Sequence, residues 1–186
     1  MCIMLAVFMG KVLKKKTAVA GDEVTYSLML RQMQKASAIQ HKGIASRHAY
    51  SMDGIDYYCG IRDEDIGILR QKYDVIILDI SFENTFDNTN VTFARMVSRL
   101  SACDEKILAG SMLPWKSREC EKKMERIERF LDIRGLKMVT LAACGKEAVS
   151  IIKKHGVEVV LIPFERNPFV ISGENLRSFL ELLKIT

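Results

Sequence analysis

The chain has 186 residues, of which 48% are apolar and 27% are charged, and its formal net charge is +5. This composition excludes global disorder, because the apolar residues suffice for a core, and the length suits one domain. The apolar opening, residues 2–9, is too short to span a membrane and follows no basic segment, so we expect a cytoplasmic protein without a signal peptide or membrane span.

Cysteines and basic residues add two expectations. The five cysteines include no C-x-x-C pair, which favours reduced thiols over disulfides. The positive charge is concentrated in residues 11–16 and 116–134. A surface for nucleic acid or for an acidic partner is one interpretation of these clusters. Solvated helix faces and loop ends are the favoured interpretation, and we do not expect nucleic acid as a partner.

The first part of the chain predicts a helix, a strand and a second helix. Residues 2–13 are apolar nearly all round, as in a helix packed against a sheet, and residues 17–20 are β-prone. Asp22 can cap the next helix, which runs from Glu23 to about Ala38.

The clearest local signal is a small β-hairpin near 48–58, with the sequence HAYSMDGIDYY. Two short β-prone runs flank Asp53-Gly54, a pair that suits the positive φ angles of a type I′ turn. Further on, residues 75–78 are four consecutive apolar residues that end on Asp79. A run that is apolar on both faces is typical of a strand buried inside a parallel sheet.

The second half repeats this alternation. The predicted strands are 106–109, 136–142 and 157–162, and the predicted helices are about 89–102, one after Pro114, 146–155 and one at the carboxyl end. Apolar strands separated by helices predict an α/β fold. We expect a doubly wound, mostly parallel sheet with helices on both faces, in a single domain over residues 1–186.

Residues directly after the strands are the candidate site, because ligands bind at the carboxyl ends of strands in such sheets. These residues are Asp22, Asp79, Ser111 and, in the last loop, Pro163, Asn167 and Pro168.

An apolar strand that ends on an acid is how P-loop nucleotide hydrolases hold Mg²⁺ through water, so Asp79 is a Walker-B-like acid. The accompanying phosphate loop, G-x-x-x-x-G-K-[ST], does not occur in this sequence. Its first glycine and its hydroxyl are replaced around both Gly-Lys pairs, by Leu5 and Val12 for Gly10-Lys11 and by Thr140 and Glu147 for Gly145-Lys146. We interpret both pairs as residues at the ends of helices.

The chain contains the stretches CIMLAVFMGKVLKKKTAVAGDE, GIDYYCG, KILAGSMLPWK and LIPFERNPF. Together with the Asp79 strand, they resemble the MinD/ParA superfamily of P-loop ATPases, in particular its divergent Gram-positive forms. The first stretch is similar to the end of that family's first helix and its second strand, and the last is similar to its loop beside the adenine. The resemblance covers nearly the whole chain and implies a P-loop NTPase-like fold with a vestigial nucleotide pocket at the candidate site.

The resemblance places Met1 inside the helix that follows the phosphate loop, so the family's first strand and Walker A loop are not in this sequence. Without that loop and its lysine, the means of positioning and stabilising a transferring phosphoryl group are missing. We therefore expect a degenerate domain that acts as a binding or regulatory protein rather than as a competent ATPase, and we expect no cofactor in this chain. The alternative is an N-terminally truncated ATPase that binds ATP, and Mg²⁺ near Asp79, once the missing segment is restored.

A second alternative is a receiver-like domain that is phosphorylated on Asp79. Asp22-Glu23, Asp79, Ser111 and Lys146 follow successive strands in the order acidic pair, acid, hydroxyl and lysine, which is similar to response regulators. The acidic pair would then hold Mg²⁺ while Asp79 attacks the phosphoryl donor. The hairpin near 48–58 has no counterpart in receivers.

The family resemblance also implies an exposed sheet edge. In that family the absent strand lies beside the Asp79 strand, and each buried backbone group left unpaired costs about 1–3 kcal/mol. Either the Asp79 strand closes onto the strand that begins near Lys106, or another chain covers the edge. We expect a protein partner at this edge, with a homodimer as its simplest form.

Overall fold

A computed structural model describes residues 1–21, 37–39, 44, 48–80, 90–133, 135–143 and 145–185. The chain forms two compact units, one comprising Met1–Asn88 with Asn167–Ile171 and the other Thr89–Arg166 with Ser172–Thr186. Each unit has its own sheet. The single domain that the sequence suggested stays a prediction.

The first unit contains a mixed five-stranded sheet. Helix α1, Cys2–Val7, continues into a π-helical segment, Phe8–Val12, and precedes β1, Thr17–Gly21. The other elements are β2, Ser37–Ala38; β3, His48–Met52; β4, Ile55–Cys59; α2, Asp63–Lys72; and β5, Val75–Asp79. The strand order is β2-β3-β4-β1-β5. β1 pairs in parallel with β4 and β5, whereas β3 pairs antiparallel with β2 and β4.

The hairpin prediction is confirmed. β3 and β4 are joined by two residues, and both have positive φ angles, 55° at Asp53 and 78° at Gly54. This conformation matches the right-handed twist of the paired strands, and glycine adopts it without a Cβ clash. Lys11 Nζ lies 2.6 Å from Asp53 Oδ2, so an ion pair links the turn to the π-helical segment.

Two sequence predictions near α1 and β2 are corrected. Ser37 and Ala38 pair with β3 as a strand, so the end predicted for the helix from Glu23 is wrong, since pairing with the hairpin overrides local helix propensity. Residues 22–36, where the rest of that helix was predicted, lie outside the described residues. Gly10 lies inside the π-helical segment rather than at a helix end, and the positive φ there, 55°, belongs to Lys14.

Helices cover both faces of the five-stranded sheet. On one face, a Cβ added at Gly10 would lie 3.0 Å from Ile55 Cγ1, so the π-helical segment packs closely against β4. On the other face, Leu69 of α2 and Tyr73 pack with Ala18 of β1 and Tyr58 of β4. Alternate residues of a strand project to opposite faces, which places odd-numbered residues of β4 under α1 and even-numbered ones under α2.

A buried chain of hydrogen bonds joins β4 to the residue that follows α2. The hydroxyl oxygens of Tyr58 and Tyr73 lie 2.6 Å apart, and the Tyr73 hydroxyl donates to Asp56 Oδ2 at 2.5 Å. Burial, slightly offset by the Tyr73 hydrogen bond, raises the pKa of Tyr58 to about 12. Tyr57, which projects to the α1 side, differs: it is 1% exposed and its hydroxyl has no hydrogen-bond partner within the described residues.

The second unit contains a parallel three-stranded sheet. Its elements are α3, Asn90–Ser101; β6, Ile107–Met112; α4, Pro114–Glu128; β7, Lys137–Ala143; α5, Gly145–His155; β8, Glu158–Leu161; and α6, Gly173–Leu183. The strand order is β6-β7-β8, with both pairs parallel. A Cβ at Gly110 would lie 2.8 Å from Met138 Cε and even closer to Cys120, so β6 and α4 approach each other tightly there.

These two sheets confirm the α/β class, and the single, doubly wound sheet stays a prediction. Gly156, with a φ of 65°, ends α5 as expected, and Pro114 occupies the first turn of α4. None of the described helices has both the length and the apolar character needed to cross a membrane.

The tyrosines give a matched pair of stability tests. Tyr73→Phe removes a hydroxyl that joins two partners, so we expect it to lower the free energy of unfolding by about 1–3 kcal/mol. Tyr57→Phe removes a buried hydroxyl without a partner, so we expect no loss of stability, or a gain of up to about 1 kcal/mol. Urea denaturation measures both changes. Equal destabilisation by the two substitutions would contradict this description of the core.

Candidate functional site

A row of four residues crosses the first sheet at the carboxyl ends of its parallel strands. The strand registers pair Gly21 of β1 with both Cys59 of β4 and Asp79 of β5, and they pair Cys59 with His48 of β3. Paired residues project to the same face of a sheet. The carboxyl-end row, His48, Cys59, Gly21 and Asp79, therefore lies on the face that carries α1.

Spacing within the row separates its polar side chains into two groups. His48 and Cys59 are direct cross-strand neighbours, whose Cβ atoms lie about 5 Å apart. Asp79 lies two strands from Cys59, about 10 Å away, because Gly21 stands between them and contributes no side chain. The half-buried Asp79 therefore has no side chain of the row as its direct neighbour on β1.

The row provides little chemistry of its own. Burial raises the pKa of the Cys59 thiol to about 11, so Cys59 is a thiol at neutral pH and a poor nucleophile. Within the described part of the chain, no three His, Cys, Asp or Glu side chains are grouped as a metal site. The row therefore offers one carboxylate, that of Asp79, and no activated thiol.

Ser111 is placed differently from its prediction. β6 extends to Met112, with a bulge between Gly110 and Met112, so Ser111 lies within the strand rather than after it. Its Oγ accepts a hydrogen bond from the Leu113 N–H at 3.4 Å, at the start of α4. Pairing with β7 carries the strand past Gly110, a residue whose low strand propensity suggested an earlier end.

The last loop contains a turn built by Asn167. Its Oδ1 accepts the Phe169 N–H at 3.1 Å, and its carbonyl oxygen accepts the Val170 N–H at 3.1 Å. This side-chain turn is typical of asparagine. Pro163 and Pro168, on either side of Asn167 in the chain, are half-buried.

The predicted site residues are divided between the units. Asp79, Asn167 and Pro168 belong to the first unit, whereas Ser111 and Pro163 belong to the second, as does Lys146. Asp22, and Glu23 with it, lie outside the described residues. The structure therefore gives the receiver alternative no added support.

The feature that distinguishes Asp79 is the side of its strand that faces away from β1. The Val75 N–H donates to the Lys16 carbonyl at 3.2 Å, so Val75 directs its backbone groups toward β1. Backbone direction alternates along a strand, so Ile76 and Leu78 point their N–H and C=O groups away from β1. No strand within the described residues pairs with that side. Among the described strands, β5 thus lies at the edge of its sheet, in agreement with the half-buried state of Val75, Ile76 and Leu78.

Solved structures of similar fold are known. The MinD cell division protein of Aquifex aeolicus matches with a TM-score of 0.65 and 12% identity, covering 100% of this chain and 92% of that chain. This chain has a MinD-like fold. A chain of the MinC:MinD cell division protein complex from the same organism matches with a TM-score of 0.66 and 12% identity, covering 99% of this chain and 91% of that one. No family model and no curated protein matches the sequence.

The opposition of His48 and Cys59 was missed in the sequence, although a signal for it existed. A two-residue turn at Asp53-Gly54 makes Met52 face Ile55, and counting outward from that pair makes His48 face Cys59. The turn prediction therefore already contained this part of the strand register.

The cysteines offer a test of the site's chemistry. A rise of the Cys59 pKa from 9.0 to about 11 reduces its thiolate fraction about 100-fold, and Cys59 is also only 3% exposed. We expect iodoacetamide at neutral pH to modify the half-exposed Cys2 and Cys103 at least ~100-fold faster than Cys59 in the folded protein. Peptide mass spectrometry over time measures the rates. Labelling of Cys59 as fast as Cys2 would show an activated thiol in the row.

Proposed function

We propose that this chain is a degenerate P-loop-type domain of MinD-like fold that acts as a binding or regulatory protein and holds a second polypeptide strand along β5. The observation that carries this proposal is the edge of β5 that no described strand covers, on a strand that is apolar on both faces. In this proposal Asp79 is a relic of metal coordination, and Asp22, Ser111, Pro163, Asn167 and Pro168 are relics of nucleotide binding.

The chemistry of the edge supports strand addition. Ile76 and Leu78 each offer an N–H donor and a C=O acceptor on the free side, which is what an added strand requires. Natural edge strands are commonly protected against pairing with other chains by lysine, by proline or by a bulge. The sequence of β5, VIILD, contains neither lysine nor proline. Its registers with β1 are regular from Thr17↔Val75 to Gly21↔Asp79, so no bulge protects it either.

A second copy of the chain is the simplest occupant. A two-fold axis perpendicular to the sheet would run β5 antiparallel to its copy, with Ile77 at the axis. Ile76 would then pair with Leu78 of the partner subunit, and the reverse pair would form by symmetry, giving about four backbone hydrogen bonds. The side chains would continue both apolar faces across the interface, which buries the half-exposed residues of β5.

The fold comparison supports a protein partner in a general way. One of the similar solved structures is a complex of MinC with MinD, in which a protein of this fold is bound to another protein. At 12% identity, the comparison supports a shared fold only. The proposed partner and the surface it uses are therefore argued from the edge of β5 that no described strand covers.

Nucleotide hydrolysis receives less support. Neither Gly-Lys pair has the glycine and hydroxyl spacing of a phosphate loop. Lys11 lies in the π-helical segment and pairs with Asp53, and Lys146 lies in the first turn of α5. One observation keeps the ATPase alternative: Asp79 lies at the carboxyl end of the free edge. A strand that paired with β5 and carried a phosphate loop would place that loop next to Asp79.

The absence of a phosphate loop from this sequence predicts the response to nucleotide. We expect isothermal titration calorimetry with ATP and Mg²⁺ to show no binding at micromolar nucleotide, because no backbone cradle holds the phosphates. The control is Asp79→Asn, which should behave as the wild type. Micromolar affinity that Asp79→Asn abolishes would contradict the proposal, and phosphorylation of Asp79 by acetyl phosphate would favour the receiver alternative.

The strand-addition proposal predicts self-association. Light scattering over a concentration series should show a dimer at micromolar concentration. Ile76→Pro removes an outward N–H, which a free edge tolerates, so we expect a folded monomer. The matched substitution Ile77→Pro removes an inward N–H bonded to β1 and should unfold the first unit. A wild-type monomer at high micromolar concentration that unfolds cooperatively would refute the proposal.

A further inference from the structure

Helix α4, in the second unit, has an unequal distribution of charge. Together with Arg129, the residue after it, it carries six basic and four acidic residues. Every one of the four carboxylates has a basic partner. Lys154 Nζ lies 2.8 Å from oxygens of Glu121 and Glu125, His155 Nδ1 lies 2.8 Å from Glu128, and Lys123 Nζ lies 3.0 Å from Glu119.

Three of the remaining basic side chains lie together on one side of the helix, and Lys116 lies on another side. Arg118, Lys122 and Arg129 are exposed, and none of them forms a salt bridge with any residue that the structure describes. At 100° per residue, the three fall within about 40° of one another around the helix axis. Glu125 lies on the same side of the helix, between Lys122 and Arg129, but Lys154 of α5 already engages it. Like charges at i and i+4, as at Arg118 and Lys122, destabilise an isolated helix, so this side carries an excess of positive charge.

An exposed aromatic ring lies at the end of these basic residues. Phe130 follows Arg129 and is 61% exposed, although its ring is held edge-to-face against Phe93 of α3, with 5.0 Å between centroids. Arg126 Cζ lies 4.4 Å from the Phe93 ring centroid and holds that ring in turn. Phe130 is thus a pre-oriented apolar side chain that is largely open to solvent. Aromatic residues and arginine are the types enriched at protein interfaces.

We propose that Arg118, Lys122, Arg129 and Phe130, the α4 stripe, dock an acidic, amphipathic helical segment of a partner protein. Carboxylates on that segment would meet the three basic side chains, and an apolar side chain would cover Phe130. The α4 stripe lies in the second unit, and the proposal does not depend on strand addition at β5.

The charges around the α4 stripe favour a polypeptide over nucleic acid. Nucleic acid binds through many phosphate contacts and needs a broad, continuous basic surface. The α4 stripe has three cations, and the carboxylates of Glu119, Glu125 and Glu128 occupy the same helix. A short acidic segment with an apolar side chain fits this narrow surface, because its apolar side chain covers Phe130. Contacts between phosphates and the basic side chains would leave Phe130 exposed.

The test uses a fluorescent synthetic peptide as the probe. Its glutamates recur at helical spacing on one face and its leucines line the adjacent face, and anisotropy is measured with the full chain at low and physiological salt. We expect saturable binding that weakens as salt rises. Arg118→Glu with Lys122→Glu should weaken it about 10-fold or more, and Phe130→Ala should weaken it about 10-fold with less change in salt dependence.

Three controls decide among the outcomes. Lys14→Glu with Lys15→Glu makes the same change in net charge in the first unit and should leave the affinity unchanged. A peptide with lysine in place of glutamate should bind the Arg118→Glu, Lys122→Glu variant more tightly than it binds the wild type. Circular dichroism verifies that each variant folds. If the Arg118→Glu, Lys122→Glu variant does not fold, Arg118→Ala with Lys122→Ala is used in its place.

Several results would overturn the proposal. These are no binding of the acidic peptide, equal loss in the Lys14, Lys15 control, or tighter stripe-dependent binding of a DNA duplex or of phosphatidylcholine vesicles that contain phosphatidylglycerol. The DNA result would assign the α4 stripe to nucleic acid, and the vesicle result would assign it to anionic membranes.

Discussion

The outward backbone groups of Ile76 and Leu78 are the constraint on which the rest of this account depends. A strand that is apolar on both faces gains most from burial between two neighbours, yet β5 has β1 on one side and no described strand on the other. Unpaired edges of this kind favour association with another strand. Because Asp79 ends the same strand, the edge also determines what lies next to that carboxylate, and hence whether it coordinates a ligand or is a relic.

Sequence patterns predicted the elements whose cause is local. The turn at Asp53-Gly54, the proline at the start of α4 and the glycine after α5 depend on the conformations of one or two residues, and all three occur where expected. The strand at Ser37-Ala38 and the extension of β6 through Ser111 depend instead on pairing with distant strands. No local pattern contains that pairing, so the predicted boundaries there were wrong.

The candidate site shows the same division between local and distant causes. Asp79 was identified because an acid after an apolar run is a local signal, and its place at the carboxyl end of β5 is confirmed. To predict the carboxyl-end row, one must know how four strands pair. Of these pairings, only the one that places His48 opposite Cys59 follows from a turn. The α4 stripe could not be predicted, because the sequence shows only a mixed run of basic and acidic residues. The structure is needed to show which carboxylates of α4 are paired with α5.

Amide hydrogen exchange along β5, followed by NMR at two protein concentrations, tests the central claim most directly. Ile77 and Asp79 direct their N–H groups toward β1, so they should exchange slowly at both concentrations. Ile76 and Leu78 should exchange fast in dilute protein and become protected at high concentration, when a second strand pairs with the edge. Exchange that stays fast at Ile76 and Leu78 at every concentration would show a solvated edge and contradict the account.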